Sequence, residues 1–407
     1  MNDRQIEIGM QALELEFGKK RVTKAVGAVK RFKVEVPSWL FGAFGGGRFG
    51  DYLPPGCARN ISEKLDDATC VHRLTGATEY IATHVLWDFS EDGETGSYQI
   101  AESVRNAAQE KGVRLGSINP TYFLRGSHRG SLSAAEKQTT DRYIEQTLLA
   151  ARIAKDFGCG LIVLWLPDGS LYPGQIELRQ TWETTKASLL EIAGKMDNDV
   201  QVLIEYKVFE PGTYSTVLPD WGSSYVLAKA FGPNAGVLVD MGHHHHSVNV
   251  EQIVARLISE GTFGGFHFNT RYAADDDHAV EPNPQMARIF YELAAGGVVC
   301  SDDPKKDWAY MIDQCSGREN RMHAILHSID SLQISLAKAM LVDRERLEQC
   351  RQQDEIILAN RIFNNALMHA DVRPLVAAAR LEKNLPADPV TAYLESGYQQ
   401  KIEAERS

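Results

Sequence analysis

The chain has 407 residues, 43% of them hydrophobic and 24% charged, a composition ordinary for a globular enzyme. Its formal net charge is −11 and no Lys/Arg run reaches five residues, which argues against a duplex phosphate track. No apolar stretch approaches the roughly 20 residues of a membrane span, and the first ten residues are too polar for a secretory signal. Six cysteines lie far apart with no CxxC, so they read as reduced thiols of a cytoplasmic protein. Nucleic-acid and membrane partners are therefore not expected, and the expected location is the cytoplasm.

In chain order, an amphipathic helix is expected from about Asp3 to Lys30, then the strand-like FKVEVPSW ending at Trp39. A glycine-rich loop, FGAFGGGRFGDYLPPG, follows from Phe41 to Gly56. Further strand candidates are EYIATHVLW, RLGSINP, GLIVLWL, QVLIEYK, GVLVDMG, FGGFHFN and AYMIDQ. Helical patterns separate most of them, and several stop at glycine (Gly112, Gly158, Gly261) as helix ends commonly do. Strands alternating with helices in this way predict an α/β fold, a (β/α)8 TIM barrel with an N-terminal helix and a C-terminal helical extension. The expected division is a catalytic barrel over 1–316 and a helical arm over 317–407 for oligomerisation. The arm's apolar stripe (Leu326, Leu332, Leu336, Met340, Leu347) must lie on its own barrel or on a neighbouring subunit.

Carboxylates and histidines gather at the ends of the later apolar runs. Glu205 and Lys207 end one, Asp240 and His243 the next, His267 sits in GGFHFN, DDD supplies Asp275 and Asp277, and Asp313 ends MIDQ. Strand ends of a parallel barrel converge on one face, so this much negative charge implies divalent cations, two of them. Glu205, Asp240, His267 and Asp313 are expected around one ion, and His243, Asp275 and Asp277 around the second. Ligands rich in oxygen suit Mn²⁺, with Co²⁺ or Mg²⁺ as alternatives, better than tetrahedral Zn²⁺. A polyhydroxylated ligand fits such ions. Lys207 either neutralises Glu205 or polarises a substrate oxygen. In the run His243 to His246 only His243 is expected to bind metal, with His244 a candidate substrate contact, because neighbours in an extended segment point to alternate sides.

These motifs carry a resemblance. VEVPSW, WLPDGSLYPGQ, IEYKVFEPGTYSTVLPDWGSSY, VDMGHH, IVARLI, GGFHFN, DDD and MIDQ together resemble the L-rhamnose isomerases of the pseudomonad type, within the xylose isomerase-like barrel superfamily. The resemblance runs nearly end to end. It implies interconversion of a free aldose and its 2-ketose by hydride shift at a two-metal site, commonly Mn²⁺, in a homotetramer. It also implies that His84 meets the sugar, that Trp165 forms the apolar wall of the pocket, that Trp39 lies at an equivalent strand end, and that Phe49 reaches a neighbouring subunit's site. Lys207, Asp313 and His243 are the catalytic residues it suggests.

The chain departs from that pattern in three places around the substrate. DQCSG puts Cys315 where a serine usually stands, Thr270 and Arg271 follow HFN, and the glycine-rich loop is one residue longer. Reaction class carries over and sugar identity does not. The competing expectations are a ketose 3-epimerase of the same superfamily, which needs two opposed carboxylates around one metal, and a non-catalytic sugar- or metal-binding barrel.

Overall fold

The computed structural model describes residues 1–42, 53–123, 125–210, 214–271, 278–300, 309–315 and 319–406. Eight parallel strands form one sheet in sequential order: β1 (Val36–Pro37), β2 (Tyr80–His84), β3 (Arg114–Asn119), β4 (Leu161–Trp165), β5 (Gln201–Glu205), β6 (Ala235–Asp240), β7 (Phe263–Phe268) and β8 (Ala309–Ile312). A parallel bridge between Glu35 and Met311 joins the last strand to the first, with Glu35 N–H on the Tyr310 carbonyl at 2.7 Å. The ring is thereby a TIM barrel.

Side-chain alternation explains why these runs become barrel strands. Ile162, Leu164, Val202, Ile204, Val237, Val239, Phe266, Phe268, Tyr310 and Ile312 belong to the large core between strands and helices. Leu161, Val163, Leu203, Leu238 and Ala309 form a separate small cluster. These are the alternate residues, so they face the barrel axis. Two positions further along, the same inward face carries Trp165, Glu205 and Asp240. On β5 and β6 the inward face thus passes from leucine, Leu203 and Leu238, to a carboxylate at the C-terminal end, Glu205 and Asp240. Register keeps those ends level, with Trp165 opposite Glu205 and Asp240 opposite His267.

Two local expectations change. The N-terminal helix is two helices, Asp3–Phe17 and Lys19–Arg31, because Gly18 takes φ 84° and breaks the backbone ladder. The first strand stops at Pro37, which has no N–H to continue the sheet, and Trp39 sits in the single turn Ser38–Phe41. Gly112, Gly158 and Gly261 do follow helix ends with φ of 85°, 74° and 64°.

After β8, helix Arg321–Leu341 packs on Lys19–Arg31 and on Pro284–Ala295 of the same chain. Leu326, Leu332 and Leu336 have no exposure and Leu347 is buried. Leu332→Ala is expected to cost about 2–5 kcal/mol of unfolding free energy in a denaturant titration, the range for an uncollapsed core cavity. Among the described residues no single helix is long and apolar enough to cross a membrane. The bent pair Arg321–Leu341 and Arg344–Gln352 has the length and composition, but its leucines are in the core.

Candidate metal centre and sugar site

At the C-terminal mouth of the barrel, Glu205, Asp240, His267 and Asp313 offer ligand atoms that all lie within 4.8 Å of one another. His267 Nδ1 is the hub, at 3.3 Å from Glu205 Oε1, 3.4 Å from Asp313 Oδ2 and 3.6 Å from Asp240 Oδ2. Among the described residues, neither His267 nitrogen nor Glu205 Oε1 completes a hydrogen bond, although all three atoms are buried. An octahedral ion with bonds of about 2.1 Å would separate its ligands by about 3.0 Å in cis and about 4.2 Å in trans. The donor set therefore fits a divalent cation by spacing and by charge. Burial alone would lower the His267 pKa, but the Glu205 charge and the contacts to Asp240, Asp313 and Glu205 outweigh it and hold it well above the ordinary imidazole value.

The carboxylates are aimed by their surroundings. Asp240 accepts the Gly242 amide at 2.7 Å, and the Asn269 side-chain amide donates to both its oxygens at 3.0 and 3.1 Å. Trp39 Nε1 donates to Asp313 Oδ1 at 3.2 Å. Outer partners of this kind fix ligand orientation and commonly change metal affinity tenfold or more when removed.

His243 stands beside this cluster. Its Nδ1 donates to the Tyr206 carbonyl at 2.8 Å, which assigns a proton to Nδ1, and its Nε2 lies 4.0 Å from Asp240 Oδ1. Asp275 and Asp277, expected to join it around a second ion, lie outside the described residues, as does Phe49. His244 differs from the expectation of a substrate contact. The Tyr206 hydroxyl donates to its Nε2 at 2.7 Å and its Nδ1 faces the Met241 carbonyl at 3.3 Å, so both nitrogens are engaged within the protein. His245 and His246 are exposed.

Lys207 is buried, with Nζ 3.5 Å from Glu210 Oε2 and 5.5 Å from the Trp165 ring centroid. A three-stranded antiparallel sheet (Gly169–Ser170, Tyr214–Thr216, Phe209–Glu210) holds it. Lys207 N–H donates to the Leu218 carbonyl, and the Thr216 hydroxyl donates to the Lys207 carbonyl. Cys315 is half-buried just past Asp313.

One side of the mouth is an aromatic wall. Ring centroids run Trp39 to His84 at 5.0 Å, His84 to Trp87 at 4.4 Å, Trp87 to Phe123 at 5.2 Å and Phe123 to Trp165 at 5.5 Å. Trp39, His84 and Trp165 are substrate-site residues expected from the sequence, His84 as a sugar contact and Trp165 as the wall. Trp87 and Phe123 complete it, and their place just after strands β2 and β3 is the signal that could have found them. Burial, and secondarily the Lys64 charge, pushes the His84 pKa down to about 3, so it is a neutral hydrogen-bonding group at physiological pH.

Burial likewise takes His244 down to about 4. In the unfolded chain both titrate near 6.5, so below that pH the unfolded state binds protons that the folded state refuses. The penalty begins near pH 6.5 and grows until the folded values are reached. At pH 5 each histidine is expected to cost about 2 kcal/mol of stability. Urea titrations of His84→Gln at pH 7 and pH 5 should show a smaller acid loss than the parent.

Residues 78–298 match the family model described as the xylose isomerase-like TIM barrel. A probable sugar isomerase of Rhizobium meliloti is 34% identical over 93% of this chain and 87% of its own length. The chain belongs to the xylose isomerase-like TIM barrel family, and two relatives that cover most of its length are named probable sugar isomerases. Among solved structures, an L-ribulose 3-epimerase superposes with TM-score 0.52 at 13% identity, covering 80% of this chain and 98% of its own. A Mycobacterium smegmatis protein of this fold in complex with magnesium gives TM-score 0.50 at 11% identity, covering 77% and 99%. These two likenesses concern the fold.

Proposed function

We propose that the protein is a metal-dependent aldose–ketose isomerase acting on free sugars, with L-rhamnose to L-rhamnulose as its first reaction. The observation that carries this is the cluster Glu205, Asp240, His267 and Asp313, set level at the barrel mouth beside an aromatic wall. Buried oxygens gathered in this way suit chelation of adjacent hydroxyls, and ring faces suit the apolar C–H face of a sugar. The R. meliloti relative's name supports a sugar isomerase. Support for L-rhamnose is the run of motifs from VEVPSW to MIDQ.

These four residues would hold one divalent ion, with Mn²⁺ first and Mg²⁺ or Co²⁺ as alternatives. His243 with Asp275 and Asp277 would hold a second. Bound cations supply Lewis-acid polarisation of neighbouring substrate oxygens. The chain's own residues do the rest. Lys207 places a positive charge beside Trp165, where it stabilises negative charge developing on a substrate oxygen. Trp39, Phe123 and Trp165 keep water from the reacting carbons. His84 holds a sugar hydroxyl while staying neutral. Trp39 also keeps Asp313 oriented through its indole N–H. Assembly as a homotetramer, with Phe49 reaching a neighbouring subunit, belongs to the same reading.

A ketose 3-epimerase is the second reading, favoured by one observation. Among the described residues the ligand cluster is a single set of four, with Glu205 on β5 and Asp313 just past β8. That chemistry needs only two carboxylates around one ion.

The test is metal-stripped protein reloaded with Mn²⁺ and incubated with a panel of free aldoses and ketoses, with products separated by chromatography. Conversion of L-rhamnose to L-rhamnulose is the expected outcome. C3 epimers of ketoses without any aldose product would replace it with the second reading. No product from any sugar, with ions bound, would move the protein to a binding role.

A further inference from the structure

Behind the aromatic wall lies a buried charge that the reaction does not use. The Asp88 carboxylate is closed to solvent and accepts from three separate segments. Its Oδ2 takes the Ser38 hydroxyl at 2.5 Å and the His84 backbone N–H at 2.9 Å, and its Oδ1 takes the Lys64 ammonium at 2.7 Å. Lys64 comes from helix Ile61–Thr75 and its side chain is only 11% exposed.

Two of the three donors to Asp88, the Ser38 hydroxyl and the His84 amide, belong to or adjoin a ring residue of the wall, and Asp88 adjoins a third. Ser38 precedes Trp39, the held amide is that of His84, and Asp88 itself follows Trp87. The three rings meet at centroid distances of 5.0, 4.4 and 6.2 Å. The chain leaving the wall also rides on Lys64. A Cβ built on Gly42 would stand 3.2 Å from Lys64 Cε, a tight approach that the glycine's missing side chain avoids.

A buried ion pair adds little net stability, because desolvation offsets most of the attraction, and apolar residues of similar volume often serve as well. What apolar residues cannot do is fix direction. A carboxylate accepts along defined lone pairs, so three donors on one carboxylate fix three segments relative to one another. We propose that Asp88 and Lys64 are positioning residues that set the spacing of Trp39, His84 and Trp87 as a sugar-facing surface. This rests on the reading of the wall as part of a sugar site.

The experiment compares full-length parent, Asp88→Asn, Lys64→Met and Lys64→Arg. It measures KM and kcat on the sugar found by the panel, Mn²⁺ affinity, thermal stability, and amide hydrogen exchange of His84 against Ile81 of the same strand. In Asp88→Asn and Lys64→Met, KM should rise about tenfold while kcat and Mn²⁺ affinity change far less, the split expected when substrate binding alone is weakened. The His84 amide should exchange about tenfold faster, as for the loss of a charge-assisted bond, with Ile81 unaffected. Lys64→Arg should recover most of the KM. A lower melting temperature with parental KM would overturn the proposal, since the pair would then be structural only. So would a parallel loss of Mn²⁺ affinity and KM, which would assign the network to the ligand cluster. A parent that binds metal and turns over no sugar would sink the functional reading instead. His84 exchange would then decide this proposal, accelerated exchange supporting it and parental exchange overturning it.

Discussion

Asp240→Asn protein should bind Mn²⁺ at least about a hundredfold more weakly than the parent, and lose sugar turnover with it. Asp240 is fully buried, and two of its neighbours donate to it, so its orientation is set before any ion arrives. The substitution keeps shape and removes the charge. Its effect on the metal-free protein should be opposite in sign. Three carboxylates crowd His267 Nδ1 at 3.3–3.6 Å, and removing one relieves repulsion in a buried volume. Metal-free Asp240→Asn should therefore melt no lower than the metal-free parent, while Mn²⁺ stabilises the parent alone. An ion at a thousandfold excess over its Kd adds about 4 kcal/mol. For a chain of this length that is roughly 5 °C. Calorimetry with and without Mn²⁺ reads both effects, and equal stabilisation of the two proteins would remove Asp240 from the ligand set.

Lys207→Met should lower kcat by about 10² to 10³ while leaving Mn²⁺ affinity within a few fold. Methionine keeps most of the apolar stem beside Trp165, so the change removes charge more than packing. The two readings of this lysine then separate. If it stabilises charge on a substrate oxygen, the loss falls on kcat. If it only balances acidic neighbours such as Glu210, 3.5 Å away, metal affinity and thermal stability should move and kcat should not. Steady-state kinetics beside isothermal titration of Mn²⁺ distinguishes them.

The barrel was legible because its strands carry two superimposed signals. Alternate residues such as Ile162, Ile204 and Val239 bury against helices, and the residues between them end in Trp165, Glu205 and Asp240. The ligand candidates could be picked out for the same reason, since strand ends are where a parallel barrel gathers chemistry. What the sequence could not show depends on neighbours distant in the chain. Asn269 looks like any loop asparagine until β6 places Asp240 against its amide. Trp87 ends a strand candidate and Phe123 follows another, but that the two rings meet at 5.2 Å shows only once β2 and β3 lie side by side. His244 offered a free imidazole on paper, but Tyr206 arrives from the adjacent strand end to occupy it. The helix expected from Asp3 to Lys30 runs through Gly18, whose backbone angle makes the break.

The most direct measurement is a titration of Mn²⁺ into metal-stripped protein, with bound ion and isomerisation rate followed in the same samples for parent and Asp240→Asn. The rate should be absent without metal, rise in step with occupancy in the parent, and stay absent in the variant at concentrations that saturate the parent. Turnover by the stripped parent, or by Asp240→Asn at the parental rate, would contradict a metal-dependent isomerase built on Glu205, Asp240, His267 and Asp313.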